Sequence, residues 1–113
     1  MKIKSVKLLE VNGVWVWILI IKENGKLDTE VVLSCNEMKF IIDNISSLPI
    51  DAQVYMEICN DSIGIKHRGV LMFYGNRLKH FSKGSVECTF IVRHILNVYT
   101  EEMSNISDYI DNM

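Results

Sequence analysis

The sequence predicts an α+β fold: a three-stranded antiparallel β-meander, a helix, two to three further strands, and a C-terminal helix packed on the sheet. Three observations carry that expectation. Asn12-Gly13 and Asn24-Gly25 each sit between β-rich runs, and Asn-Gly accepts the positive φ that both central positions of a type I′ hairpin require. Ser34-Cys35-Asn36-Glu37 is followed by Met38, Ile41, Ile42 and Ile45, a capping box leading into a helical stripe. Beyond Ser85, apolar residues again recur at helical spacing.

The chain has 113 residues, 49 % of them apolar and 23 % charged. That length gives one domain, residues 1–113, and so much apolar surface is incompatible with a disordered chain. The first hairpin joins strands expected over 3–11 and 14–22, and the second leads into 27–33. The middle strand is apolar on both sides, with Val14, Val16, Ile18 and Ile20 alternating against Trp15, Trp17, Leu19 and Ile21. A strand of that kind is covered on both faces. Two helices cover one face only, so the other calls for a second layer or a second subunit. Trp15, Trp17 and Leu19 are the expected dimer interface on this reading.

Pro49 ends the first helix, and a short strand follows with Val54, Met56 and Ile58 alternating against Tyr55, Glu57 and Cys59. Asn60-Asp61-Ser62 turns the chain into a strand over 63–67, and Arg68-Gly69 leads into 70–74. Gly75-Asn76 is a further turn signal, with another short strand expected over 77–81. The segment 85–99 reads two ways. Val86, Cys88, Phe90 and Val92 alternate as a strand does, while Phe90, Ile91, His94, Ile95, Val98 and Tyr99 form a helical stripe. Length favours a helix of about 16 residues. The tail, with Ile106, Tyr109, Ile110 and Met113, extends that helix or docks separately.

The net charge of −2 conceals a segregation. Residues 1–26 carry +3, 27–61 carry −6, 62–86 carry +5 and 87–113 carry −4. Such blocks commonly neutralise one another across a folded surface. In 62–86, Lys66, Arg68, Arg77, Lys79, His80 and Lys83 flank Phe73, Tyr74 and Phe81 with no acid between them. Cations interleaved with aromatics hold phosphates and stack bases, and equally dock an acidic protein partner. These six residues are the expected partner-binding set.

Three cysteines, Cys35, Cys59 and Cys88, form no close pair, which favours a reducing, cytoplasmic setting over a disulfide framework. The longest apolar run, Val14–Ile21, is eight residues, far below the roughly 20 that a membrane helix needs. Fifteen isoleucines, nine asparagines and nine lysines beside one alanine reflect AT-rich coding, as in low-GC bacteria and their phages.

Catalytic signals are thin. Cys59, His67, His80 and Cys88 are zinc-competent types, but their spacing lacks the close ligand pairs of structural zinc sites. Cys88 with His80 is the one thiol–base pairing the order allows, and it needs a stabilised thiolate. Asp28 with Glu30, and Asp61, come without a convergent base or phosphate loop. No catalytic residue, cofactor or metal ligand is therefore assigned. The expectation is a cytosolic protein-interaction module, homodimeric, encoded by a phage or mobile element, that binds and inhibits a host or cognate protein. The alternative is a nucleic-acid-binding module using 62–86.

Overall fold

The computed structural model describes residues 1–77 and 85–111, with side chains of the last helix described through Ile106. The architecture is the expected α+β one. Its elements are β1 (Lys2–Val11), β2 (Val14–Lys22), β3 (Thr29–Ser34), α1 (Cys35–Ile45), β4 (Gln53–Ile58), β5 (Ser62–His67), β6 (Val70–Asn76), β7 (Val86–Ile91) and α2 (Val92–Asp111). The strands form one sheet in the order β3-β2-β1-β7-β4-β5-β6. Every pairing is antiparallel except β1 with β7, which is parallel and has one register pair, Lys2 opposite Thr89.

The first Asn-Gly behaves as expected: Asn12 and Gly13 take φ of 51° and 82° and close a two-residue hairpin. The second does not. Asn24 keeps a negative φ, Gly25 sits at 76°, and Lys26 N–H donates to the Glu23 carbonyl at 3.3 Å. This is a type II-like turn inside a six-residue connection, so β3 starts at Thr29, not at 27. Arg68 and Gly69, with φ of 53° and 77°, form the tight hairpin between β5 and β6.

Helix α1 starts where its capping box says it should. Ser34 Oγ accepts from Glu37 N–H at 3.1 Å, and Glu37 Oε1 accepts from Ser34 N–H at 2.8 Å. The segment 85–99 resolves the two readings by splitting them. Residues 86–91 are strand β7 and the helix begins at Val92, so the expected helix from 85 is corrected. The strand share of the pattern wins because β7 completes a six-pair ladder with β4. The tail continues α2 to Asp111. Of the strand expected over 77–81, Arg77 lies beyond β6 and residues 78–81 fall outside the described part.

Both helices pack on one face of the sheet. Trp17, Leu19, Ile21, Val31 and Leu33 meet Met38, Ile41 and Ile45 of α1 together with Val92 and Ile95 of α2 in one core. Trp17 stacks on Tyr99 of α2 with centroids 5.2 Å apart. The sheet curls around α1 until its two outer strands approach at one end. There Gly75 of β6 leaves room for the Phe40 ring, which lies 2.8 Å from where a Cβ would stand.

Candidate interaction surface

The face of the sheet turned away from the helices is uncovered. On its β1–β3 side the register aligns Leu9 with Val16, Val11 with Val14, and Ile18 with Val32. Leu9, Val11 and Val14 are exposed there, Ile18, Ile20 and Val32 are half-buried, and Val16 is buried between its neighbours. The doubly apolar character of β2 is therefore real, but its two faces have different fates. Trp17 and Leu19 are 1 % and 2 % exposed beneath the helices, and Trp15 is half-buried beside them. The expected interface at Trp15, Trp17 and Leu19 is thus corrected: those side chains pack in or against the core beneath the helices.

On the β4–β7 side the register places Lys66, Tyr55 and Thr89 in one row across three strands. A groove of about 700 Å³ follows that row, lined by Gln53, Tyr55, Thr89, Lys66, Arg68 and Asp51 among others. Lys66 Nζ lies 5.8 Å from the centre of the Tyr55 ring, a cation–π distance. Partial burial, a hydrogen bond to Glu87, and the charges of Glu87 and Glu57 push the Tyr55 phenol up to about 12. Arg68 is exposed at the hairpin tip, and Asp51 at the rim is paired with Arg93 at 2.7 Å.

Lys66 and Arg68 are thus brought together, but Arg77 is not with them. It stands at the far end of the β5–β6 hairpin with its side chain 1 % exposed. Nε pairs with Glu37 Oε2 at 2.5 Å, Nη1 donates to the Cys59 carbonyl at 3.0 Å, and Nη2 to the Val32 carbonyl at 3.0 Å. Its backbone N–H donates to the Asp61 carbonyl at 2.8 Å. Arg77 is therefore removed from the partner-binding set: it is a buried tie between β6, α1 and β3. Lys79, His80 and Lys83 lie outside the described residues.

The other chemical candidates are placed as follows. Cys88 lies on β7, not on a helix, and burial pushes its thiol up to about 12, the opposite of an activated nucleophile. The Cys59 thiol lies 3.2 Å from Glu57 Oε1. Among the described residues no group of three or more His, Cys, Asp or Glu is arranged to hold a metal. Asp28 is paired with Lys4 at 2.8 Å. No described helix is long and apolar enough to cross a membrane.

The sequence reading placed a strand over 70–74 but did not foresee that it is the strand that exposes most. β6 runs along the edge of the sheet, and Val70, Leu71, Met72 and Tyr74 are 60 %, 52 %, 45 % and 61 % exposed. The signal was in view as five consecutive apolar residues between Gly69 and Gly75, but an apolar run alone reads as a buried strand. No family model, curated protein or solved structure is significantly similar to this chain.

Proposed function

We propose that the chain is a small protein-interaction module with a binding rather than a catalytic role, using the uncovered sheet face around Lys66 and Arg68. The observation that carries this reading is the one-sided packing of the sheet. Both helices lie on one face, leaving the other with apolar side chains and a groove edged by two cations. Exposed apolar surface rimmed by charge marks protein contact sites. The cations select a partner that presents carboxylates, which sets orientation and speeds encounter.

The nucleic-acid alternative is less well supported. Its expected basic set loses Arg77 to the interior, and the acids Glu57 and Glu87 face each other two residues along the strands from the Lys66 row. A polyanion laid on that face would meet them. The proposed partner is a protein of the cell in which the chain acts, and occupation of the partner's own surface is how inhibition would follow.

The test is capture from a low-GC bacterial lysate with the tagged full chain, with and without nuclease, alongside the Lys66→Glu/Arg68→Glu variant. One protein retained after nuclease and lost with the charge-reversed variant is the expected result. Retention by that variant, or loss with nuclease, refutes the assignment.

A further inference from the structure

Among the described residues two glycines sit within strands, and only one of them is explained from inside the fold. Gly75 of β6 makes room for the Phe40 ring. Gly64, in the middle of β5 between Ile63 and Ile65, has no such neighbour. Its φ is not positive, and an added Cβ would meet one atom within 4 Å, Leu71 Cδ1 at an ordinary 3.5 Å. A glycine inside a strand weakens it, and often marks a place where another group approaches closely. Tyr74 stands directly opposite on β6, a position from which an aromatic ring can close over a strand glycine. Here it does not: no atom of that ring lies within 4 Å of the Cβ position, and Tyr74 is exposed.

The result is a dimple of about 160 Å³ on the uncovered face, with Gly64 as its floor, Leu71 and Tyr74 along the β6 side, and Glu57 on the β4 side. Small-molecule pockets occupy roughly 300–1,000 Å³, so this one fits a single side chain. Lys66 is two residues along β5 on the same face. It borders both the dimple and the larger groove that Arg68 also lines.

We propose that the dimple anchors a protein partner through an aromatic side chain, whose segment presents a carboxylate to Lys66 and Arg68. This rests on the reading of that face as an interaction surface and names what the face recognises. The ring lies on the glycine, pairs with Tyr74 and covers Leu71. Offset aromatic pairing adds to apolar burial, and an aromatic anchor seated in a pocket is where binding energy concentrates. Charge fixes the neighbour. Same-face residues of an extended segment repeat every 6.6 Å or so, about the spacing of Gly64 and Lys66 along β5. An Asp or Glu two residues from the ring therefore reaches Lys66 when the ring is in the dimple. On the β4 side it would meet Glu57 and Glu87, which face each other there. A base with its phosphate offers a similar pair of groups, but a continuous polyanion would meet those two acids as well.

Random dodecapeptides displayed on phage and selected on the immobilised full chain test it. The enriched peptides are expected to share an aromatic residue and an Asp or Glu with one residue between them. A fluorescein-labelled peptide of that sequence, titrated by anisotropy, is expected to bind at least about tenfold more weakly to Gly64→Val, which fills the dimple, and to Lys66→Glu. Gly64→Ala should act in the same direction. Lys39→Glu, the same change of charge on α1 behind the sheet, should bind as the natural chain does. Replacing the peptide's aromatic residue by Ala should cost much less against Gly64→Val than against the natural chain, the coupling that direct contact produces. Thermal unfolding of Gly64→Val should show no loss, since a β-branched residue suits a strand. Enriched peptides without the pair, a peptide indifferent to both Gly64 variants, or additive losses overturn the proposal. So does a single-stranded oligothymidine that binds as tightly as the peptide and weakens in the same variants. A lysate partner lost with Lys66→Glu/Arg68→Glu but kept by Gly64→Val also overturns it, while leaving the broader reading of the face standing.

Discussion

Replacing Arg77 by Met keeps most of the aliphatic stem and removes the guanidinium. Glu37 then remains 7 % exposed with one of its oxygens still held by the Ser34 amide, and the other facing no cation. The carbonyls of Val32 and Cys59 lose their donor as well. Breaking a buried pair by deleting one member typically costs about 3–5 kcal/mol, and each dry, orphaned carbonyl adds about 1–3 kcal/mol. Water entering the opened seam offsets the carbonyl cost, so the expected loss is about 3–5 kcal/mol. For a chain of this size the urea slope is about 1–3 kcal/mol/M, and the midpoint should fall by roughly 2 M. The double variant Glu37→Gln/Arg77→Met removes the stranded charge and should lose less than the sum of the two single variants. Urea unfolding of the four proteins measures this directly. A single-variant loss below about 1 kcal/mol, or additive single losses, would refute the view that the pair is buried and coupled.

Gly75→Ala places a methyl 2.8 Å from the Phe40 ring carbons; the ring must move within a packed site, so thermal unfolding should show a loss of roughly 1–3 kcal/mol. Cys88 gives a pH dependence with a definite sign. Its thiol ionises near 9 when unfolded but is held up to about 12 in the fold, so the unfolded state sheds the proton first. Stability should therefore fall between pH 9 and pH 12, by up to about 1.4 kcal/mol per unit from this group. Cys88→Ala should flatten the slope, whatever it does to the absolute stability. In the same range iodoacetamide should label exposed Cys35 well before Cys88, and equal labelling rates in the folded protein would contradict the burial.

What was legible in the sequence was local. The capping box at Ser34 and Glu37 and the hairpin at Asn12-Gly13 each depend on residues within a few positions, and both formed as read. Asn24-Gly25 has the same dipeptide but a different turn, because the flanking strands do not pair up to it. Residues 86–99 carried two periodicities that meet at Phe90, and only the ladder with β4 decides where strand gives way to helix. The candidate surface was harder to read. Lys66 and Arg68 are three positions or fewer from a turn and stayed outside. Arg77 went inside because its partner Glu37 lies 40 residues away, a separation that composition does not report. Trp17 and Leu19 were rightly seen on a doubly apolar strand, but which face receives the helices is set by α1 and α2 together, not by β2.

The single parallel register pair between β1 and β7 has a dynamic consequence. β1 and β2 share nine register pairs, and β4 and β7 share six, whereas Lys2 opposite Thr89 stands almost alone, aided by Thr89 donating to the Met1 carbonyl at 2.9 Å. The sheet is thus two tightly laddered panels meeting along a perforated line. Amides beside that line should exchange with solvent through small openings, while those within each panel wait for global unfolding. On the far side, the Arg77 knot holds the panels together like a hinge pin, so the chain can breathe along one line without shedding its core.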